Sequence, residues 1–407
     1  MPHPTAPPMP QRVGTDALRM TLLARWVWDG RRLVSPGVVV VESGRWKQAG
    51  DADAVAPDVG TPSLDLGRVL LTPGLVNFHT HLELGGVARP APPDPGDEGF
   101  VDWLLEVMAR GPRSGDEAAQ RARAGLEQCQ RFGVYEVHDI TRHPREVRRA
   151  LDGQDVHVIS YGEVTGMASR RARAQAMLDA ACDTSMLGPA SSVRPGISPH
   201  APYSTERTVY QACGRRAAER GWPVSTHLGE VAAERVFLSA HDGPFRRLWD
   251  RLGGWSDDVP TATLAELQAA CGPGVLIAHG NDLAADELAA SARSAGQRVV
   301  VVHCPRTHAY FRRPPFDLAA RLSSGIALAV GTDSLASSPD LNVLAELREL
   351  AKLHPHVPAT SLFSMAIADV ARAPVVLAWS VPDLPDPLEW LLGRQRSPAP
   401  QSEVSTM

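Results

Sequence analysis

Residues Leu70 to Leu84 read LLTPGLVNFHTHLEL, an apolar run that ends in two histidines, His79 and His81, on either side of a threonine. In an extended strand, residues two apart project to the same side. The two imidazoles therefore leave one strand end together, placed for a single cation. Imidazole suits zinc, iron, nickel and copper. Two ligands do not complete a catalytic metal site, so the stretch predicts a further histidine and a carboxylate downstream.

The same pattern recurs along the chain. Apolar runs lie at 69–78, 133–140, 156–164, 194–199, 223–227, 274–279, 298–303 and 326–332, with amphipathic stretches at 116–131, 169–182, 205–220, 261–271, 282–295, 315–323 and 340–353. Strands alternating with helices over roughly 280 residues match a (β/α)₈ TIM-type barrel, typically about 250 residues long. A doubly wound open sheet is the structural alternative, but no glycine-rich phosphate fingerprint follows the first strand.

Each proposed strand ends in a polar residue able to do chemistry. In order these ends carry His79 and His81, His138-Asp139, Glu163, His200, His227, His279, His303-Cys304 and Asp333. In a barrel these ends share the face on which active sites are built. His227 and Asp333 are the expected third and fourth ligands. Three imidazoles, one carboxylate and a place for water make an open, catalytic site. A metal held this way lowers the pKa of water from 15.7 to about 7. Glu230, three residues after His227, is placed to shuttle a proton without ligating. His279 and Asp333 are placed to hold the nucleophile and accept its proton. Lysine occurs only at Lys47 and Lys352, so no lysine on the fourth strand bridges two metals. A single ion is expected, unless a carboxylate such as Glu163 bridges a second.

Composition narrows the class further. The 407 residues are 43% apolar and 21% charged, with a net charge of −5, which leaves no basic footprint for nucleic acid. No run is long enough to span a membrane. The cysteines, Cys129, Cys182, Cys213, Cys271 and Cys304, are scattered and form no CxxC, which fits a reducing, cytoplasmic setting. Residues 1–19 are proline-rich and expected to be disordered, with Met20 an alternative start. Residues 20–68 read as a small β module, 69–353 as the barrel, 354–393 as a divergent C-terminal segment and 394–407 as a disordered tail.

The motifs NFHTHLEL, SPHAPYS, HLGE, AHGN, HCPRTH and GTDSLASSPDL, in this order, resemble the amidohydrolase superfamily. They resemble its branch of metal-dependent aminohydrolases, and within it the deaminases of S-adenosylhomocysteine and aminodeoxyfutalosine. The resemblance covers roughly Met20 to Lys352. It implies one divalent ion, zinc or iron, on His79, His81, His227 and Asp333. It implies that Glu230 protonates a ring nitrogen, His279 orients the water and His200 contacts the substrate. The implied reaction is hydrolytic deamination of a purine-nucleoside-like compound: activated water adds to the amino-bearing ring carbon and ammonia leaves. Partners reduce to a small heterocyclic substrate and, as an option, further copies of the chain.

Glu83 and His303 are expected as further substrate contacts. Arg306, in CPRTHAYFRRPPF, offers a planar fork for a substrate carboxylate, with Tyr310 or Phe311 to stack on a ring. After the eighth strand the family's GA-x-x-LG pattern and GKxADL strand are missing. Only 373–377 suggests a further strand, and the small module is expected to be incomplete. Two rival readings stay open, hydrolysis of a chlorinated or cyclic-amide heterocycle and a degenerate, non-catalytic metal-binding paralogue.

Overall fold

A computed structural model describes residues 9–14, 19–53, 55, 60–367 and 375–394. Contacts divide the chain into two units. One comprises residues up to Pro73, Leu347–Phe363 and residues from Val370 onward; the other comprises Gly74–Glu346 and Ser364–Asp369.

The larger unit is the barrel. Its parallel strands are β1 (Leu75–Thr80), β2 (Val134–Thr141), β3 (His157–Val164), β4 (Val193–Pro199), β5 (Val224–Leu228), β6 (Gly274–His279), β7 (Arg298–His303) and β8 (Ala327–Val330), joined in sequence order. Strands of a parallel sheet are covered on both faces and read as continuous apolar runs. Thus every residue of β5, VSTHL, is buried.

At the closing edge, the Asn77 side-chain amide donates to Thr332 Oγ1 at 2.7 Å, and the Thr332 amide donates to Asn77 Oδ1 at 3.1 Å. Thr80 Oγ1 donates to the Asp333 carbonyl at 2.7 Å. The connecting helices carry their own start signals. Ser114 caps Gly115–Arg131 by accepting from the Glu117 amide, and Thr263 and Glu266 form a reciprocal capping box for Leu264–Ala270.

Helices also form where periodicity does not announce them: Asp97–Arg110, Pro144–Leu151, Ala233–Ala240, Pro244–Arg251 and Pro305–Tyr310. Three of these open with proline, whose fixed φ and missing N–H suit the first helical turn.

The smaller unit corrects three expectations. First, the run 69–78 is two strands. Val69–Pro73 pairs antiparallel with Val376–Ser380 and parallel with Trp26–Trp28, and the barrel strand starts at Leu75. Second, Gln11–Val13 pairs with Val376–Ala378, so these residues of the expected disordered segment form a strand. Third, Arg394 donates to the carbonyls of Ala351, His354 and Val357, so this residue of the expected disordered tail is held by the fold. Val376–Ser380 supplies the strand suggested at 373–377, displaced toward the C-terminus. Residues 368–374 and 395–407 lie outside the described residues.

Candidate functional site

His79, His81 and His227 present ring nitrogens that all lie within 4.8 Å of one another. His81 Nε2 and His227 Nε2 are 3.1 Å apart. Asp333 Oδ1 stands 3.8 Å from His79 Nε2 and 4.0 Å from His81 Nε2. The structure brings the four expected ligands together, by a route that simple alternation does not describe. Val137 pairs with Asn77 but Asp139 pairs with Thr80, which leaves an extra residue on β1. Such a bulge re-aims the side chains beside it. Gly331 completes the approach, since a Cβ there would meet the His79 backbone nitrogen and oxygen at 2.8 Å.

The donor set suits a cation. Burial holds the His79, His81 and His227 imidazoles well below their ordinary pKa, that of His227 at about 3, with neighbouring imidazoles adding to the shift, so all three are neutral. His227 Nδ1 faces the His200 carbonyl at 3.1 Å. A carbonyl only accepts, so Nδ1 carries the proton and Nε2 keeps its lone pair for a metal. Both ring nitrogens of His79 are buried without a hydrogen-bond partner among the described residues. Ser337 Oγ donates to Asp333 Oδ2 at 2.8 Å and meets Thr307 Oγ1 at 2.8 Å. Burial raises the Asp333 carboxyl to about 6. Asp333 and His279 both hold positive φ, 54° and 65°, unusual for residues with a side chain and typical of strain kept at functional sites.

Beside this cluster lie Glu230 and His279, both buried, with His279 Nε2 3.7 Å from Glu230 Oε1. Burial pushes the Glu230 carboxyl up to about 8 against the pull of Arg313, so it holds its proton near neutral pH. His279 is kept neutral, chiefly by burial. Glu234, fully buried, accepts from the backbone N–H groups of Gly229, Glu230 and Val231 and so clamps the turn that carries Glu230.

His81, His227, Glu230, His279 and Asp333 face a cavity of about 340 Å³. Its lining combines apolar side chains, Phe100, Trp103, Leu104, Val107 and Trp249, with polar ones, Glu83, Arg142, Glu163, Arg170 and His200. Glu83 is held by Thr141 Oγ1 at 2.5 Å and by the Arg142 amide at 3.1 Å. His200 Nδ1 is 2.7 Å from Ser204 Oγ, and its Nε2 lies 4.0 Å from Glu163. The apolar part of the lining draws on Asp97–Arg110 and Pro244–Arg251, two of the helices that periodicity missed. Arg142, one residue past β2, was also missed; its place just beyond a strand end was the available signal.

Arg306 and His303 do not belong to this set; among the described residues neither lines the cavity. The Arg306 guanidinium is engaged by Glu346 at 2.7 Å and by Asp340 Oδ1 at 2.8 Å. His303 is stacked on Phe316, ring centroids 3.9 Å apart. Tyr310 donates to the carbonyls of Pro90 and Ala91, while Phe311 packs on Phe100 and Trp103. An arginine flanked by acids inside its own fold is spent before a substrate arrives. All five cysteines are free and buried, and burial raises the Cys304 thiol far above the range of a nucleophile.

Residues 70–373 match the profile of the amidohydrolase family. The chain belongs to the amidohydrolase family. This amidohydrolase is similar to an aminodeoxyfutalosine deaminase of Deinococcus radiodurans, 28% identical over 353 residues that cover 82% of this chain and 80% of that protein. It is also similar to a 5-methylthioadenosine/S-adenosylhomocysteine deaminase of Nitratidesulfovibrio vulgaris, 26% identical over 357 residues, covering 84% and 74%. Among solved structures it matches an aminofutalosine deaminase of Helicobacter pylori with a TM-score of 0.76, at 18% identity, over 92% of this chain and 95% of that one. That likeness shows the fold, a barrel with small accompanying sheets. No helix among the described residues is long and apolar enough to cross a membrane.

Proposed function

We propose that this amidohydrolase is a metal-dependent hydrolytic deaminase of a purine-nucleoside-like substrate, with aminodeoxyfutalosine favoured. One observation carries the reading: three neutral imidazoles and Asp333 meet on one barrel rim beside a carboxyl, Glu230, that keeps its proton near neutral pH. His79, His81, His227 and Asp333 would hold one divalent ion, zinc by preference for this nitrogen and oxygen donor set. Bound there, such an ion lowers the pKa of water toward about 7 and so makes hydroxide available.

The remaining steps fall to side chains. Asp333 takes a proton from the attacking water as oxygen joins the amino-bearing ring carbon. Glu230 gives its proton to the adjacent ring nitrogen, so negative charge does not accumulate in the ring. His279, neutral and beside Glu230, orients the attacking oxygen. The carbon–nitrogen bond then breaks, the amine leaves as ammonia with the proton held on Asp333, and the new hydroxyl returns its proton to Glu230 as it becomes a carbonyl. General acid–base help of this kind is typically worth about 10²–10⁴-fold. His200 and Glu83 lie where the nucleoside would be held.

The cavity's mixed lining favours a substrate with a flat apolar part and a carboxylate. Arg142 and Arg170 take the place that sequence alone gave to Arg306, and Trp103 and Trp249 line the same cavity, with the Arg170 guanidinium 5.5 Å from the centroid of the Trp249 ring. Aminodeoxyfutalosine, with its benzoate, meets both demands. The test is ammonia release by the zinc-loaded protein from aminodeoxyfutalosine, S-adenosylhomocysteine, methylthioadenosine, adenosine and guanine. The expected result is kcat/KM at least about tenfold higher for aminodeoxyfutalosine than for methylthioadenosine, the worth of one charge-assisted contact. Equal values for the two would overturn the carboxylate preference, and ammonia from none would overturn the deaminase.

A further inference from the structure

The loop after β7 carries an arginine that the reaction described above leaves unused. The Arg313 side chain is 12% exposed, and its Nη2 stands 3.8 Å from Glu230 Oε1. Nη2 is buried and has no hydrogen-bond partner among the described residues. The guanidinium lies over two rings, 5.1 Å from the centroid of Phe100 and 4.9 Å from that of Phe311. Phe100 belongs to the helix after β1 and Phe311 to the segment after β7, so two separate loops fix the guanidinium. A buried cation is costly unless it has a partner, and an aromatic pair compensates only in part. The acid it faces is the one assigned to proton transfer.

Two side chains converge on the Glu230 carboxyl. His279 Nε2 and Arg313 Nη2 both approach Oε1, at 3.7 and 3.8 Å. The charged and titratable groups around this carboxyl are His279 from β6, Cys304 and Arg313 from the segment after β7, Asp333 after β8, Glu234 from the following helix and Tyr203 from the β4 loop. His279 is neutral, Glu234 and Asp333 are acids, and Arg313 is the cation of the set.

We propose that Arg313 is a positioning residue for Glu230: clamped between Phe100 and Phe311, it holds the carboxyl at Oε1 together with His279 and supports the carboxylate formed once the proton has moved. The role rests on the deaminase reading, in which Glu230 gives and recovers a proton.

The experiment compares Arg313→Gln and Arg313→Lys with the parent in the zinc-loaded enzyme. A second readout, the infrared carboxyl band of Glu230 in metal-free protein, is isolated by difference against Glu230→Gln. In Arg313→Gln, kcat is expected to fall about tenfold to a hundredfold with KM and zinc content within about twofold. The Glu230-controlled limb of the pH profile moves up by about one to three units, because a cation near 4 Å has been removed. Arg313→Lys restores most of the rate and most of the limb. A limb that stays in place while only the melting temperature falls would reduce Arg313 to a structural part and overturn the proposal. Should Arg313→Gln not fold, Arg313→Met keeps the apolar stem between the rings and is read in the same way. If no nucleoside yields ammonia, the carboxyl band still decides: a shifted titration upholds the contact while the deaminase reading falls, and an unshifted one overturns both.

Discussion

Replacing Arg306 by alanine separates two uses for one residue. The sequence offers Arg306 as a substrate anchor; the structure spends it inside the fold. Its backbone N–H and Nε donate to the two oxygens of Glu346, at 2.8 and 2.7 Å, and Nη2 reaches the Asp340 carbonyl at 2.7 Å. The Glu346 side chain is fully buried, against 14% exposure for Arg306. Truncation leaves that carboxylate with one backbone donor and Ser338 at 3.3 Å. Removing one partner of a buried pair costs about 3–5 kcal/mol, a large share of a typical stability of about 5–15 kcal/mol. Urea unfolding at neutral pH should show that loss for Arg306→Ala. The KM values for a carboxylate-bearing and a neutral nucleoside, measured below the transition, should keep the parent's ratio. Unchanged unfolding, with KM for the carboxylate substrate raised tenfold or more, would refute this assignment.

Three further outcomes follow from the site. Ser337→Ala removes the donor that orients Asp333 and should weaken zinc binding by about 10–100-fold; chelator competition measures it, and unchanged affinity would contradict the orientation. Arg142→Met should raise KM for the carboxylate-bearing nucleoside by about tenfold or more while sparing methylthioadenosine, since a hydrogen bond to a charged group is worth about 1.5–3 kcal/mol; equal effects on both would reassign Arg142 to structure. Glu230 is protonated below about 8 and loses its proton as pH rises through that value, so the acid form, and kcat/KM with it, declines on the alkaline side. A cation at the histidine cluster favours the carboxylate and moves that limb lower in the loaded enzyme. A kcat/KM profile flat to about pH 10 would contradict the assignment of Glu230 as the proton donor.

Much of the barrel was legible because its strands are buried on both faces and end in polar residues. LIAHGN and VSTHLGE show the passage from apolar run to reactive end without a break. The candidate ligands were legible from the same feature, since His79 and His227 lie at strand ends and His81 and Asp333 just beyond them. The failures have physical causes. Val69–Pro73 is as apolar as the barrel strand that follows, so composition hides the boundary at Gly74, where the chain passes from one sheet to another. Proline marks the start of Pro144–Leu151 and Pro244–Arg251, yet in sequence it reads as a breaker. Arg306 and Arg313 sit in the same short motif, and nothing local tells which one meets buried acids from later in the chain. Glu346, forty positions after Arg306, decides its fate.

The most direct test of the account is ammonia release from aminodeoxyfutalosine by the purified protein, with metal content determined on the same sample and Glu230→Gln run beside it. The account predicts about one zinc per chain in both proteins, ammonia from the parent, and a rate at least about a hundredfold lower in the variant, the lower bound for a lost general acid. Metal retained in both with equal ammonia from both would contradict the role of Glu230. Metal retained with ammonia from neither, across every nucleoside of the panel, would contradict the deaminase itself.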